Sequence, residues 1–338
     1  GKAILGGLIA SGLVQPGQIW VYTPSSEKVA ALSEQYGINA AESAQEVAQI
    51  AAIVFGAVQP GMMVKVLSEV ASSLHKESLV ISIAAGITLD QLAGALGHDR
   101  KIIRAMPNTP ALVNAGMTSV TPNALATSED IAEVVTIFRS FGEAEVIAEP
   151  MIHPVVGVSG SAPAYVFMFI EAMADAAVLG GMPRAQAYKF AAQAVMGSAK
   201  MVMESGSHPG ELKDMVCSPG GTTIEAVRVL EQKGFRAADI EAMAACMEKS
   251  EALSKSCRQG EPFRLTHARY AVFFRQALIN FLRSAPFSDC CVAVALHSRI
   301  FCCCGVRLFP SDCVPLPFRQ LLIKLFLSSP FNAFAVAC

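Results

Sequence analysis

A glycine-rich turn that leads into a helix carries the sharpest sign of chemistry in this sequence. Residues 217–227 read CSPGGTTIEAV. The Pro-Gly-Gly at 219–221 predicts a turn whose backbone amides a ligand can approach closely. Thr222 is predicted to cap the following helix, with Glu225 at the capping-box position. Glycines leading into a helix N-terminus favour an anion site, for example for a substrate carboxylate, and a plain helix start is the alternative.

The elements that must position this turn begin with an α/β pattern. The first 150 residues alternate between short apolar runs and amphipathic stretches, which predicts a parallel sheet flanked by helices. The predicted strands are 19–22, 53–58, 78–84, 101–106, 117–121 and 144–148. Between them, capping-box spacing predicts helix starts at Ser43 with Glu46 and at Thr88 with Gln91. Left-handed glycines predict helix ends at Gly12, Gly37, Gly97 and Gly142. We therefore expect a Rossmann-type dinucleotide-binding domain over residues 1–150.

The opening of the sequence fits the middle of a dinucleotide fingerprint. Such a fold starts with a strand, then G-x-G-x-x-G, then a helix whose N-terminus holds the pyrophosphate. This sequence opens with GKAILGGLIASG, an Ala/Gly-faced helix, and a predicted strand follows. We expect Gly1 to be the third glycine, with the first strand missing. Without that strand, the edges of its neighbours are expected to be unpaired.

The turn after predicted strand 19–22 bears on the choice of dinucleotide. An NAD enzyme commonly has Asp or Glu here to bind the ribose 2′-hydroxyl. This sequence has Thr23, Pro24 and two serines, with Lys28 close behind. Hydroxyls and a cation suit a 2′-phosphate, so the turn favours NADP over NAD. The alternative is that Ser25 or Ser26 only caps the next helix.

After Pro154 the predicted strands stop and helical periodicity takes over. Helices are predicted from about 166 to Gly180-Gly181, from Pro183 onward, and at 209–216, 223–233 and 237–254. The apolar faces of the first two are Val166, Phe169, Ile170, Met173, Ala176 and Ala177, then Ala187, Phe190, Ala191, Ala194, Met201 and Val202. A small all-α domain over 151–256 cannot bury such faces alone, which indicates a homodimer. A membrane span beginning near Glu149 is the alternative, but prolines and glycines interrupt that run, so we expect no membrane partner.

Composition divides the chain near Ser256 and limits its partners. The formal charge of −2 argues against a nucleic-acid partner. Residues 1–256 hold 17 Lys/Arg against 25 Asp/Glu, whereas residues 257–338 hold 9 against 3. The later segment also holds eight of the ten cysteines, so we expect 257–338 to be an unrelated, poorly packed appendage. With only Cys217 and Cys246 before it, the chain is expected in a reducing cytoplasm.

Three long segments carry a resemblance to a known family. They are RAMPNTPALVNAGMTSV (104–120), VSGSAPAYVFMFIEAMADAAV (158–178) and ELKDMVCSPGGTTIEAVRVLE (211–231). In that order, and throughout residues 1–256, the chain resembles the bacterial pyrroline-5-carboxylate reductases. The resemblance implies reduction of 1-pyrroline-5-carboxylate to L-proline by NAD(P)H, the last step of proline synthesis, without a metal. It also implies a homodimer in which the glycine turn reaches the partner's cofactor domain.

The resemblance also assigns roles to residues. It implies cofactor contacts at Gly1, Thr23, Ala57, Val58, Gln59, Pro60, Ala84 and Ala85. It implies a nicotinamide-side lining by Met106, Pro107 and Asn108. The substrate carboxylate is expected on Ser218, Gly220, Gly221, Thr222 and Thr223. Thr223 matches the family's proposed proton donor, and an anchoring hydrogen bond with water as the proton source is the alternative.

Two departures and two competing functions remain open. Gln59 stands where the family usually has Lys, and Gly56 places a flexible residue beside the cofactor contacts. A β-hydroxyacid dehydrogenase is the first alternative, but such enzymes use a Lys on the interdomain helix, whereas Lys189 and Lys200 are predicted on the second helix of the α-domain. The second is a non-catalytic dimer that binds no dinucleotide. His153 and His208, each next to a proline, are expected to be structural.

Overall fold

A computed structural model describes residues 1–258 of the 338-residue chain. Its strands are β1 Trp20–Val21, β2 Asn39–Ala40, β3 Ile53–Gly56, β4 Leu79–Ser82, β5 Lys101–Pro107, β6 Gly116–Pro122 and β7 Gly142–Val146. The helices of the first part are α1 Lys2–Ala10, α2 Ser26–Tyr36, α3 Ala44–Ile50, α4 Pro60–Val70, α5 Leu89–Leu96 and α6 Ser128–Arg139. The predicted strands are confirmed, and β2 is an additional short one.

Strands β3 to β7 form one sheet in sequence order, and β1 pairs with β2 in a separate one. All neighbouring pairs are parallel except β5 and β6, which are antiparallel. The parallel core is thus confirmed, with β6 as the exception. Only residues 108–115 connect β5 to β6, and a parallel crossover needs a dozen or more residues.

A slot separates the two sheets. The carbonyls of Ala52 and Gly56 accept hydrogen bonds from the β4 side at 2.9 and 3.1 Å, so the backbone of Ile53 and Phe55 faces away from β4. The Val21 carbonyl is likewise used by β2. Residues of both β1 and β3 line a cavity of about 1120 Å³. Within residues 1–258 no backbone hydrogen bond joins β1 to β3, which confirms the expected unpaired edges.

Apolar side chains cover both faces of the five-stranded sheet. All four residues of β4 are buried, as expected for a parallel strand covered on both faces. Ile81 packs in a cluster with α1 and with Phe138 of α6, whereas Val80 packs in a second cluster with Met63 of α4 and with Leu92 of α5. The helices on each face therefore hold the carboxyl edge of the sheet in place.

The predicted helix caps are confirmed at Thr88 and in part at Ser43. The Thr88 side chain accepts from the Gln91 N–H, and the Gln91 side chain accepts from the Thr88 N–H. Ser43 accepts from the Glu46 N–H, but the Glu46 carboxylate binds the N–H of Glu42 instead of closing the box.

The four glycines predicted as left-handed helix ends all have positive φ angles, but the prediction is wrong for Gly97, whose φ +106° and ψ 145° lie outside the left-handed helical region. Gly37 ends α2 with φ +70°, in the left-handed conformation. Gly142 has φ +156° and begins β7, where an added Cβ would lie 2.1 Å from the Gly116 carbonyl oxygen. A residue with a side chain cannot occupy that position without moving the backbone.

The second part of the described chain is helical, as predicted. After a short α7, Ile152–Val155, comes a π-helical turn, Val156–Gly160, in which the Ser161 N–H donates to the Val156 carbonyl. The later helices are α8 Ala162–Leu179, α9 Arg184–Ser205, α10 Pro209–Val216, α11 Thr222–Gln232 and α12 Phe235–Arg258. Helix α12 runs two residues past Ser256, and the remainder of the 257–338 prediction lies outside the described residues.

The predicted apolar faces of α8 and α9 are only partly covered within one chain. Ala174, Ala187 and Ala191 are buried, but Phe190 is 66% exposed and Phe169 39% exposed. Other large apolar side chains of these helices are also exposed, including Phe167, Met168, Leu179, Met196 and Met203. By length and composition the stretch Glu149–Leu179 could cross a membrane, and the same properties occur in helices that pack in soluble proteins.

Candidate active site

The predicted cofactor residues gather at one edge of the sheet. Because β3, β4 and β5 are parallel neighbours, their carboxyl ends lie side by side. Residues 57–60 follow β3, and Ala84 and Ala85 follow β4. Met106 and Pro107 are the last two residues of β5. The cavity beside β3 is lined by Gly1, Thr23, Ala57 and Val58 together. The structure thus brings together most of the residues that the resemblance assigns to the cofactor.

Two helix N-termini at this edge suit an anionic ligand. Helix α1 begins directly after Gly1, where an added Cβ would lie 3.5 Å from the Ala57 Cβ. Helix α4 begins after Gln59, with Pro60 as its first residue. Neither helix has a side-chain cap or an acidic residue in its first turn. In α4, Pro60 carries no N–H and the Met62 N–H donates to the Gln59 carbonyl at 2.9 Å. The uncapped N–H groups that remain at the two N-termini suit a phosphate, which fits the pyrophosphate of a dinucleotide.

The turn after β1 offers the predicted hydroxyls and cation. Thr23 and Lys28 both line the cavity that reaches Gly1. Ser25 occupies the N-cap position of α2, but its side chain makes no cap hydrogen bond. The alternative that Ser25 only caps α2 is therefore not supported by a hydrogen bond of its hydroxyl. The hydroxyls and Lys28 of this turn fit a 2′-phosphate.

Asn108 is engaged with the helical part of the chain. Its Nδ2 donates to the carbonyl oxygen and to the Oγ of Ser159, both at 3.2 Å. Its Oδ1 accepts from the Met117 N–H at 2.9 Å. The neighbouring Met106 packs towards the same turn, because an added Cβ at Gly160 would lie 3.5 Å from its Cε. The end of β5 is thus joined to the π-helical turn.

The glycine turn before α11 has the predicted tight geometry. Gly220 has φ +67°, and the Gly221 N–H donates to the Ser218 carbonyl at 3.0 Å. An added Cβ on Gly221 would lie 2.5 Å from the Ser218 Oγ. Ser218 and Thr222 are exposed, and Thr223 is half-buried. The turn presents backbone and hydroxyl groups to the surface.

The prediction that Thr222 caps this helix is wrong. Gly221 is the N-cap residue, with φ −80° and ψ 172°, and Thr222 is the first helical residue. Glu225 does not close a capping box because Arg228, one turn later, binds both of its carboxylate oxygens at 2.6 and 3.0 Å. This ion pair lowers the pKa of Glu225. The first N–H groups of α11 therefore lack a side-chain cap.

The two halves of the predicted site lie on different elements of the described chain, the carboxyl edge of the sheet and the turn before α11. Among residues 1–258, no hydrogen bond links residues 217–223 to residues 57–60, 84–85 or 106–108. The glycine turn follows α10, whose Met215 and Val216 are 69% and 60% exposed.

A buried ion pair at the junction of the two parts was not predicted. Arg104 of β5 is 3% exposed, and its Nη1 lies 3.0 Å from the Glu149 Oε1. The same oxygen accepts from the Leu89 N–H at the start of α5, at 2.8 Å. Burial lowers the pKa of Arg104, opposed by its pairing with Glu149. The partners lie 45 positions apart, so no sequence periodicity could reveal the pair.

The residues expected to be structural have structural partners. His153 shares a hydrogen bond of 2.9 Å with the Ser250 Oγ, and His208 accepts from the Gly210 N–H at the start of α10. Lys189 and Lys200 lie on α9, and Lys200 pairs with Glu204 at 3.5 Å.

Comparison with known proteins identifies the family. Residues 149–253 match the family described as pyrroline-5-carboxylate reductase dimerisation, and residues 1–86 match NADP oxidoreductase, coenzyme F420-dependent. The chain is 86% identical over 256 residues to the pyrroline-5-carboxylate reductase of Escherichia coli (strain K12), covering 76% of this chain and 95% of that protein. This chain belongs to the pyrroline-5-carboxylate reductase family.

Solved structures of the family share the fold. The chain matches a pyrroline-5-carboxylate reductase from Coxiella burnetii with a TM-score of 0.71 and 34% identity, over 75% of this chain and 94% of that one. It matches the Plasmodium falciparum pyrroline carboxylate reductase, solved with NADP bound, with a TM-score of 0.68 and 32% identity, over the same shares. The order of a Rossmann-type domain and a helical dimerisation domain is thereby confirmed.

Family membership accounts for the exposed apolar helices. The stretch Glu149–Leu179 lies within residues 149–253, which match the dimerisation domain. Its apolar surface is therefore explained by contact between subunits. The homodimer expected from the uncovered faces of α8 and α9 is confirmed.

Proposed function

We propose that this chain reduces 1-pyrroline-5-carboxylate to L-proline with NADPH as the hydride donor. The observation that carries this proposal is the 86% identity to the Escherichia coli enzyme over nearly that enzyme's whole length. The exposed glycine turn, which carries the predicted substrate residues, and the sheet edge, which carries most of the predicted cofactor residues, support it. NAD is the alternative donor, and the hydroxyls and Lys28 of the turn after β1 support NADP.

The chain's own groups have to bind and orient two molecules. The N-termini of α1 and α4 bind the pyrophosphate, and Thr23 with Lys28 bind the ribose phosphate. Met106 and Pro107 line the nicotinamide side. When bound, the reduced nicotinamide supplies a hydride, which adds to the imine carbon while the imine nitrogen gains a proton. Orienting the two reactants contributes roughly 7–11 kcal/mol to lowering the barrier. Because protonation of the imine nitrogen makes the imine carbon more electrophilic, no strong base is needed.

The substrate carboxylate is placed on the glycine turn of the partner subunit. The uncapped N–H groups at the start of α11, with Ser218 and Thr222, suit a carboxylate. Thr223, half-buried beside them, is placed at the imine nitrogen as proton donor or as anchor for the donating water.

The test is oxidation of NADPH by the purified 338-residue chain on adding 1-pyrroline-5-carboxylate, followed at 340 nm, with L-proline identified as the product. Turnover is the expected result. No turnover by a folded dimer that also fails to bind NADPH would favour a non-catalytic dimer instead. Turnover of a β-hydroxyacid with NAD and none of the imine would favour the dehydrogenase alternative.

Variants at Thr223 separate its two possible roles. Thr223→Ser retains the hydroxyl and is expected to keep most of the activity. Thr223→Val removes the hydroxyl at nearly equal volume, and loss of a proton donor is expected to lower kcat by about 10²- to 10⁴-fold. If KM for the imine rises and kcat is kept, Thr223 is an anchor and water is the donor.

We also propose a soluble protein working in the cytoplasm. Cys217 and Cys246 are unpaired in residues 1–258, which supports a reducing compartment. Fractionation of cells that produce the chain would test this, and recovery with membranes or from the periplasm would contradict it.

A further inference from the structure

The side chain of Asn108 joins the end of β5 to β6 and to the π-helical turn by hydrogen bonds. Its oxygen faces the Met117 N–H, which can only donate, and its nitrogen faces the Ser159 carbonyl, which can only accept. These two partners fix the orientation of the amide. The Ser159 Oγ, also 3.2 Å from the Asn108 Nδ2, provides a second acceptor for the NH₂ group. Both halves of the amide are therefore used within the protein.

The Ser159 carbonyl needs this partner because of a proline. In an α-helix its donor would be the N–H of residue 163, but Pro163 has none. The next N–H, that of Ala164, donates to the Ser161 carbonyl at 3.0 Å. The π-helical turn thus leaves the Ser159 carbonyl without a helical donor, and the Asn108 Nδ2 supplies one.

The same turn is held from its other side by the helical domain. Gly157 is buried against α12, where an added Cβ would lie 3.3 Å from the Met247 Cγ. The Ser161 Oγ accepts from the Cys246 Sγ at 3.2 Å. A shift of the turn would therefore disturb α12, so Asn108 couples the end of β5 to the packing of α12.

We infer that Asn108 is a positioning residue that fixes Met106 and Pro107 against the helical domain, rather than a cofactor contact. This inference rests on the proposed reductase function. Misplacing reactants by about 1 Å lowers rates by about 10²-fold. Loss of the clamp formed by Asn108, Met117 and Ser159 is therefore expected to lower kcat and to leave the affinity for the cofactor nearly unchanged.

The first arm of the test is kinetic. Asn108→Ala is expected to lower kcat by about 10- to 100-fold while KM for NADPH changes by less than about twofold. The matched control is Asn123→Ala. Asn123 bridges the opposite end of the β5–β6 pair, accepting from the Ile102 N–H at 3.1 Å and donating to the Arg100 carbonyl at 2.8 Å. The Asn123→Ala variant is expected to be less stable and to have an unchanged kcat.

The second arm uses hydrogen exchange and needs no activity. Asn108→Ala should speed exchange at the Met117 N–H, whereas Asn123→Ala should speed it at Ile102 instead. Asn108→Asp retains the acceptor for Met117 but places a carboxylate oxygen against the Ser159 carbonyl. It should protect the Met117 N–H and still lower kcat.

Two results would overturn the inference. One is a rise of tenfold or more in KM for NADPH with kcat unchanged in Asn108→Ala, which marks a cofactor contact. The other is unchanged exchange at Met117 in that variant. Absence of turnover in the unsubstituted chain would instead overturn the proposed function, and the exchange results would still decide whether the clamp exists.

Discussion

Removing the Glu149 carboxylate tests how far the domain junction depends on a buried charge. Only 4% of the Arg104 side chain is exposed, and Glu149 is its ion-pair partner at 3.0 Å. The same carboxylate oxygen accepts from the Leu89 N–H. Glu149→Ala therefore leaves a buried guanidinium without a counter-ion and the first N–H of α5 without its acceptor.

The expected loss of stability follows from the exposure of the two side chains. Removing one partner of a buried ion pair costs about 3–5 kcal/mol. The Glu149 side chain is 33% exposed, so water replaces part of the interaction and we expect the lower end, about 3 kcal/mol. Glu149→Gln keeps a neutral acceptor for both donors, and we expect about half that loss.

The assay is urea unfolding at pH 7 at one fixed protomer concentration, because dimerisation makes the midpoint depend on concentration. The control is Glu69→Ala, which removes an exposed pair with Lys65 and should change stability by less than about 0.5 kcal/mol. Replacing Arg104 and Glu149 together by Met leaves no buried charge, so it should lose less than Glu149→Ala alone. A loss below about 1 kcal/mol for Glu149→Ala would refute the reasoning.

Three further predictions concern the first domain. Gly142→Ala forces a Cβ onto the Gly116 carbonyl and should cost about 3 kcal/mol in urea unfolding, whereas Gly94→Ala, with open space around it in α5, should be neutral or stabilising by up to about 1 kcal/mol. Burial raises the pKa of Asp130, but hydrogen bonds from Thr127 and Lys101 outweigh it and lower that pKa. The contribution of Asp130 to stability is therefore present above its ordinary pKa near 4 and is lost as the pH falls through the lowered value. Asp130→Asn should unfold at lower temperature than the unsubstituted chain at pH 7, and a difference in melting temperature that persists at pH 2 would contradict this. A strand-forming segment ending in Gly-x-Gly-x-x, added at the amino terminus, should enter the slot between β1 and β3 and raise the melting temperature by roughly 5 °C or more, unlike a Gly/Ser segment of equal length.

The parts of the fold that were predictable are those in which local pattern and burial agree. Strands such as β4 are continuous apolar runs because both faces are covered, and such runs are visible in sequence. The two residues of β2 carry no such pattern. The antiparallel direction of β6 was readable from the short connection at 108–115, because that length excludes a parallel crossover.

The candidate site was predictable where residues act through the backbone, and less so where they act through distant partners. Gly220 and Gly221 mark their turn by type and spacing. Asn108 was predicted as a cofactor contact, but its bond to Ser159 spans 51 positions and depends on a proline that removes a donor, so sequence spacing could not indicate it. The Thr222 cap failed because a glycine with extended backbone serves equally well at the N-cap, and the side chain was not needed.

The division of the proposed site between two surfaces makes catalysis depend on assembly. On the proposed function, the sheet edge and α1 bind the dinucleotide, whereas the glycine turn proposed to bind the substrate carboxylate follows α10, whose Met215 is exposed. On the proposed function a monomer would therefore bind NADPH and lack the substrate side. The clamp at Asn108 acts at the boundary between these surfaces, because it fixes the nicotinamide-side residues to the domain that dimerises. The turn that holds Asn108 leads directly into α8, whose apolar face is explained by dimerisation, so a change that loosens one contact is expected to loosen the other.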